Sequence, residues 1–398
     1  MADKPLLAAG LDAGSVFTRC VVCLVEGDRL RLLGYGQTPS QGWNRSRLAD
    51  HNAVSEAMRG AIQEAERLGG VSIGAAVLGI GGGTVSGHNS RGVYEFGYQR
   101  EITSADLKRA IERAARVVLP NDRMILHVLP QDFAVDGTPG HRNPCGIMGA
   151  KLEAFVHLVM VSFQEHQELV GAANRAHIVV EDTLFEPLAA AYAAVLPRDR
   201  REGVTVLDIG AHSTEMAVYY GEAVIHSASL PVCGDHFTWD VARGLRISCE
   251  EAQAVIQQYG CALLDLTAPN SVVVLPGTPE RGPRERARRD LNLILEARAK
   301  ELFDWVQREL VRMSMDQSLM GVVLSGGAAR LAGLCDLAEQ LLGCQARNGL
   351  PIGIKDWPQE LNTPAWTTAA GLAMYAARRK LRGGPERGGN GFFRALWG

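Results

Sequence analysis

One short unit occurs twice, and a chain that carries it twice must build two similar halves. Leu6–Val22 reads LLAAGLDAGSVFTRCVV and Val204–Tyr219 reads VTVLDIGAHSTEMAVY. Each is an apolar strand run, an Asp-x-Gly turn, a small hydroxyl residue and a second apolar strand run. Asp12 and Gly14 in the first copy correspond to Asp208 and Gly210 in the second. A turn and a third apolar run follow each: Leu30–Leu33, and residues 223–226. A tight turn with Gly lets backbone N–H groups approach phosphate oxygens with no Cβ in the way. Ser15 and Ser213 add hydroxyl donors. A carboxylate at the strand end repels phosphate but can hold Mg²⁺ through water, and the metal then bridges to the phosphates. A lone Asp-x-Gly is usually an ordinary hairpin turn. Two in matched context, about half a chain apart, indicate an internal duplication and a facing phosphate clamp.

With 398 residues, two or more domains are expected. The content of 46% hydrophobic and 21% charged residues is that of a globular protein, and a net charge of −3 gives no nucleic-acid footprint. The charge is uneven, because residues 378–398 carry six basic side chains and one acid. MADKPLLAAG lacks the basic and long apolar regions of a signal peptide, and the most apolar run, residues 154–163, is too short to span a bilayer. The expectation is a cytoplasmic protein without a transmembrane helix. Cys20-x-x-Cys23 falls in a predicted strand, where positions i and i+3 point to opposite faces, so it reads as two buried thiols.

Periodicity predicts helices over 52–68, from Thr103 or Ser104 to about Val118, over 163–173, 186–195, 234–245, 248–259, a long one over 285–313, and over 334–342 and 367–379. Strands are predicted over 71–80, 124–130, 156–161, 178–180 and 322–324. Gly81-Gly82-Gly83 lacks the Lys-Ser/Thr of a phosphate loop, so it reads as a flexible exit into a small domain over roughly 83–157. His127 and His157 alternate with apolar neighbours and read as satisfied sheet histidines. Ser325-Gly326-Gly327-Ala328 follows a buried strand and precedes a helix, which suits either close approach of a nucleotide or an ordinary tight turn.

Two Asp-x-Gly hairpins, an Ala-rich helix between them and a late Ser-Gly-Gly turn together resemble the actin-like ATPase superfamily. That implies an α/β fold of two duplicated halves closing on ATP-Mg²⁺. HVLPQDFAVDG (127–137), NPCGIMGAKLEAFVHL (143–158), GDHFTWDVARGL (234–245) and VVLSGGAA (322–329) narrow the resemblance to the bacterial cell-division protein FtsA family. It runs from about Ala9 to Leu381 and resumes at the C-terminal tip. It implies this division: 1–82 begins the first core subdomain, 83–157 is the inserted small subdomain, and 158–200 with 355–382 completes the first core. Residues 201–228 and 302–354 form the second core and 229–301 an outer subdomain that binds FtsZ. Residues 383–390 are a linker and 391–398 an amphipathic membrane-targeting segment.

The family implies an adaptor that polymerises, tethers the tubulin-like FtsZ ring to the inner membrane at the division septum as a peripheral protein on its cytoplasmic side, and recruits later division proteins through the inserted subdomain. Asp12, Gly14, Ser15 and Arg19 fit the first phosphate turn. In the second, Asp208, Gly210 and Ser213 fit, but Ala211 and His212 stand where the family prefers Gly, and Glu215 where it prefers Asp. Ala and His resist positive φ better than Gly. Gly234, Gln253, Gly326, Gly327 and Ala328 complete the nucleotide set, with Gln253 in a helix where the family pattern has Ala-Glu-x-x-Lys. Asp12 and Asp208 are the candidate metal residues, through water. Glu186 either positions the attacking water or is a charge suited to a helix N-terminus. These departures leave ATP binding in place and argue against brisk hydrolysis. Arg284, Arg288 and Arg298 are the candidates for the acidic C-terminal peptide of FtsZ. Phe392, Phe393, Leu396 and Trp397 share an arc of about 140° on a helical wheel, with Arg394 beside them. A pilus-assembly platform of the same fold, or a true kinase or chaperone-type ATPase, is the alternative.

Overall fold

The computed structural model describes residues 5–275, 277, 282–313 and 319–382. The expected linker 383–390, the tip with Phe392, Phe393, Arg394, Leu396 and Trp397, and most of a loop expected at 276–283 lie outside the described residues.

The first half opens with β1 (Leu7–Ala13), β2 (Phe17–Glu26) and β3 (Arg29–Pro39), then a short hairpin, β4 (Trp43–Asn44) and β5 (Arg47–Leu48). Helix α1 (His51–Gly69) leads to β6 (Ala75–Ile80). Next come β7 (Ser86–Glu101), α2 (Ser104–Ala114), β8 (Arg123–Val135), β9 (Thr138–His141) and β10 (Met148–Ser162). Then α3 (Phe163–Arg175), β11 (Val179–Phe185), α4 (Glu186–Ala194) and α5 (Pro197–Glu202) follow. The second half contains β12 (Val204–Ile209), β13 (Thr214–Tyr220), β14 (Ala223–Leu230), α6 (Gly234–Leu245), α7 (Cys249–Tyr259), β15 (Val272–Leu275), β16 (Arg284–Ala287) and α8 (Arg288–Arg312). It ends with β17 (Gly321–Ser325), α9 (Leu334–Leu342), β18 (Gln345–Asn348), β19 (Ile354–Lys355) and α10 (Thr367–Leu381).

The duplication is plain in the sheets. One sheet runs β11-β6-β1-β2-β3-β19, and the other contains β18-β17-β12-β13-β14. In both, an antiparallel three-strand meander is extended by two parallel strands in the same order. Helix α4 leaves the last strand of the first set and packs on β12. Helix α10 follows the second set and packs on β1. The two helices cross against each other, and their composition permits it. Helix α4 presents Ala189, Ala190, Ala191, Ala193 and Ala194, all buried. A Cβ at Gly371 would overlap the carbonyl oxygen of Ala189. Close backbone approach, not turn geometry, is why Gly stands there.

Strands β7, β10, β8 and β9 are inserted after β6 in sequence, yet they extend the sheet of the second half beyond β14, through one bridge pair, Ala228 with Ser86. Their own core gathers Ile102, Leu107, Ile111, Phe133, Leu152 and Leu158. His157 is satisfied by Asn89 and Ser227, and His127 accepts from the Phe185 amide.

Some predicted elements shift. The helix after Thr103 ends at Ala114, four residues before the expected Val118. The long helix starts at Arg288, not Glu285. Residues 284–287 form β16 instead, registered on β15 from Val272–Ala287 to Leu275–Arg284, and this pairing supplies backbone partners that a helical turn would have used. The expected boundary between 301 and 302 falls inside α8, whose Leu291, Leu295, Leu302 and Val306 share one apolar cluster with Leu207 and Leu324.

Gly371→Ala is expected to destabilise the protein by about 3 kcal/mol, because the added methyl meets backbone rather than a yielding side chain. Thermal melting should show a drop of several degrees or loss of soluble protein. Gly171→Ala, in a helix with open space around it, should melt at or slightly above the parent.

Candidate functional site

A cleft of about 460 Å³ lies between the halves, and both Asp-Gly turns open into it. Asp12 ends β1 and Asp208 ends β12, so the two hairpins present equivalent carboxylates to one space. Their cross-strand partners differ. Asp12 pairs with Arg19 in register, whereas Asp208 pairs with Glu215 at the same sequence spacing. The duplicated clamp is therefore inverted in charge at its second position.

Asp12, Asp208 and Glu215 are buried and Glu186 is partly so. Burial is the first cause that raises all four pKa values. Asp12 is pushed up to about 7, with Arg19 opposing the shift and Asp208 adding to it. Glu215 is pushed up to about 7 by burial and then by Asp208. Glu186 is raised well above the usual carboxylate range by burial, then by Glu215, Asp12 and Asp208. Asp208 is raised by burial, while Thr368, whose Oγ1 donates to Asp208 Oδ2 at 2.5 Å, pulls it down. Arg19 lies 4.0 Å from Asp12, bonds Gln37 and lies near the faces of Phe17 and Trp366. Three arginines, Arg19, Arg288 and Arg330, line the cleft against five carboxyl groups, these four and Asp235, so the cleft is short of positive charge.

Backbone groups converge on the same place. The Gly210 amide bonds Ser213 O, Gly234 bonds Gly210 O and Asp235 bonds Ala211 O, which stitches the second turn to the start of α6. Gly326 has φ +88°, and a Cβ there would press on Asp208 and on the Ile209 carbonyl. Gly327, Ala328 and Gln253 line the cleft, as do Gly14, Ser15, Ala211, His212 and Ser213. The expectation that Ala211 and His212 would strain a positive-φ turn is not met, because neither they nor Gly14 and Gly210 have positive φ. Gly is needed at 14 and 210 because the hairpin backbone passes close by. A Cβ would lie 2.7 Å from Phe17 O and 3.0 Å from Ser213 O. His212 instead turns its Nε2 to Asp235 at 3.3 Å, and its buried Nδ1 has no partner among the described residues.

Four features escaped the sequence reading. Gly81 and Gly82 are more than an exit loop: both line the cleft, a Cβ on Gly81 would collide with the Glu186 carboxylate, and the Gly82 N–H donates to Glu215 Oε1 at 2.6 Å across the halves. Thr368 carried no motif. Arg330 lines the cleft with no local signal. Arg288 also lines the cleft, bonding the Tyr259 carbonyl at 2.7 Å, apart from the other two arginines of its expected set. Those two meet α6: Arg284 bonds the Leu245 and Arg246 carbonyls, and Arg298 bonds Asp240 at 2.6 Å and Glu301.

The residues present fit a divalent cation held through water. The carboxyl groups are desolvated and outnumber the arginines of the cleft. Among the described residues, no group of three or more His, Cys, Asp or Glu side chains closes into a direct ligand set.

Comparison with known proteins decides the family. The FtsA of Pseudomonas aeruginosa is 32% identical over 379 residues, covering 95% of this chain and 91% of its own length. The chain belongs to the cell division protein FtsA family. The FtsA of Borreliella burgdorferi is 32% identical over 373 residues (93% of this chain, 90% of the relative), and that of Escherichia coli 30% over 392 (96% and 92%). The family profile "Cell division protein FtsA" matches residues 205–371, and "SHS2 domain inserted in FTSA" matches 82–160, the stretch of β7 to β10. Among solved structures, the PilM-PilN type IV pilus biogenesis complex aligns with TM-score 0.67 at 19% identity, covering 94% of this chain and 99% of that one. MreB5 of Spiroplasma citri bound to AMPPNP aligns with TM-score 0.57 at 12%, covering 95% and 98%. At these identities they establish the actin-like fold, as expected for an FtsA.

Asp12 and Glu215 keep protons in the folded state to about pH 7 that the unfolded chain releases near their ordinary values of 3.8 and 4.5. The folded protein thus binds more protons in that window, and its nucleotide-free stability falls as pH rises from about 4 to about 7 through these groups. Asp12→Asn removes one of them. Without nucleotide it should melt above the parent at pH 8 and show a smaller loss between pH 5 and pH 8. An unchanged pH slope in differential scanning fluorimetry would refute the assignment.

Proposed function

We propose that this FtsA-family chain is a nucleotide-binding adaptor of bacterial cell division. It tethers the FtsZ ring to the inner face of the cell membrane at the septum, polymerises and recruits later division proteins. The observation that carries the nucleotide part is the convergence of both Asp-Gly turns, the start of α6 and the Gly326 turn on one charge-deficient cleft. ATP-Mg²⁺ is the ligand of choice. The backbone around Gly14, Ser15, Gly210 and Ser213 receives phosphates, Arg19 adds charge, and Asp12 and Asp208 hold the cation through water. Gln253, Arg288 and Arg330 line the wall left for the nucleoside, and Gly234, Gly327 and Ala328 keep it open. Bound Mg²⁺ supplies charge neutralisation.

Turnover is slow in this reading. Glu186 is the acid best placed to orient water, but burial among like charges favours its protonated form, and a protonated carboxyl cannot take up a proton. His212 fills space that the family leaves to bare backbone. Calorimetry should show Mg²⁺-dependent ATP binding that Asp12→Ala abolishes. Phosphate release on the order of 1 s⁻¹ or faster would refute slow turnover. His212→Gly should bind ATP at least as tightly, and weaker binding would make His212 a phosphate ligand.

The outer region around α6 and α8 is the proposed FtsZ site. An acidic peptide would engage Arg284 and Arg298, displacing Asp240 as partner of Arg298. Arg288 faces the nucleotide instead. Arg298→Ala should weaken an FtsZ C-terminal peptide about tenfold without changing ATP affinity.

Membrane attachment rests on residues 391–398. Each large apolar side chain of the tip contributes at most roughly 1.5–3 kcal/mol, and so short a helix is unstable alone in water, so one tip binds weakly and a polymer of many tips strongly. Among the described residues no helix is long and apolar enough to cross a membrane. Deleting 391–398 should abolish co-sedimentation with anionic liposomes. Unchanged binding would favour the alternative, a pilus-type platform on the same fold, for which such a tip has no use.

A further inference from the structure

The inserted subdomain carries a basic recess that neither the nucleotide cleft nor the region around α6 uses. Helix α2 buries Leu107, Ala110, Ile111 and Ala114 in the subdomain core. Its opposite side exposes Arg109 and Arg113, four residues apart and therefore on one face, and Arg116 is exposed two residues past the helix end. With Tyr94 of β7 and Glu112 they line an open recess of about 410 Å³.

Two of the arginines are held in place. The Arg109 Nη1 donates to the Tyr94 hydroxyl at 2.6 Å, and its guanidinium stands 5.6 Å from the ring centre. The Arg113 guanidinium lies 4.8 Å from the same ring and donates to the Val93 carbonyl at 2.7 Å. Tyr94 is itself packed edge-on against Phe96, at 5.1 Å. Several other cations of the subdomain are paired: Arg91 and Lys151 with Glu153, Arg100 with Asp106, and Arg142 with Glu222. Among the described residues, Arg109, Arg113 and Arg116 have no carboxylate partner. The like charges of Arg109 and Arg113, four apart on the helix, cost stability in the free protein, and an acidic ligand removes that cost.

We propose that this recess docks an acidic, extended segment of a partner protein, with Asp or Glu carboxylates on the guanidinium forks and an apolar or aromatic side chain against Tyr94. Guanidinium and carboxylate match in bidentate geometry, and arginines already ordered on an aromatic ring lose little freedom on binding. A recess walled by a helix and a strand suits an extended chain better than a flat lipid surface. This inference specifies the recruiting role proposed above for the inserted subdomain, and it fails independently of the nucleotide, FtsZ and membrane tests.

Fluorescence anisotropy tests it, using the full chain and a dye-labelled Glu-Ser repeat peptide carrying one Trp. The parent should bind, with affinity falling as salt is raised from about 50 to about 500 mM. The combined substitution of Arg109, Arg113 and Arg116 by Gln should weaken binding about tenfold, whereas Arg67→Gln, at an exposed arginine of α1, should leave it unchanged. If the triple variant does not fold, Arg116→Gln, whose side chain makes no hydrogen bond or ion pair within the described structure, should still weaken binding about threefold. Absence of peptide binding overturns the proposal, as does binding that survives the substitutions. Recruitment of the chain lacking 391–398 to phosphatidylglycerol vesicles through these arginines, without peptide binding, would make the recess a lipid site instead and also overturn it.

Discussion

Four carboxyl groups crowd the seam between the two halves, and much of the molecule is arranged to tolerate them. Asp12 and Asp208 arrive by duplication, Glu186 at the start of α4, and Glu215 where the first copy has Arg19. Buried acids without counter-charge keep protons or attract a cation. The surroundings serve this demand. Gly81 leaves room for the Glu186 carboxylate, the Gly82 amide and the Thr368 hydroxyl donate to two of the acids, and Gly326 allows a turn to pass beside Asp208. The Gly82–Glu215 bond crosses from one half to the other, so the state of the acids and the closeness of the halves are linked.

The seam is held from behind by helices of small residues. Helix α4 and helix α10 are counterparts in the two halves, and each packs on the other half's central hairpin. Their crossing at Ala189 and Gly371 brings backbones together with no side chain between. Polar ends point toward the cleft, Glu186 on α4 and Thr368 on α10, so packing density behind the seam sets the positions of groups within it.

Peripheral parts follow other rules. The inserted strands continue the second half's sheet although they interrupt the first half's sequence, because the open edge of β14 offers unpaired backbone groups. Helix α8 serves the second core and the outer region at once, so its arginines divide by helical face and position. Arg288 turns to the cleft, while Arg298 and the preceding Arg284 turn to α6.

Local pattern was enough for much of this. The repeated Asp-Gly unit implies two halves, the helix expected from 163 starts there, and helices over 234–245 and 334–342 fall where periodicity places them. The family resemblance rests on equally local segments. What the amino-acid order alone determined was which short stretches form strands, turns and helices, because those depend on neighbours a few residues away. Only the tertiary structure decided that Gly81, Thr368 and Arg288 belong to the cleft, and that the inserted strands join the far sheet. Those facts depend on contacts between residues far apart in the chain, and no periodicity or spacing within one segment encodes them.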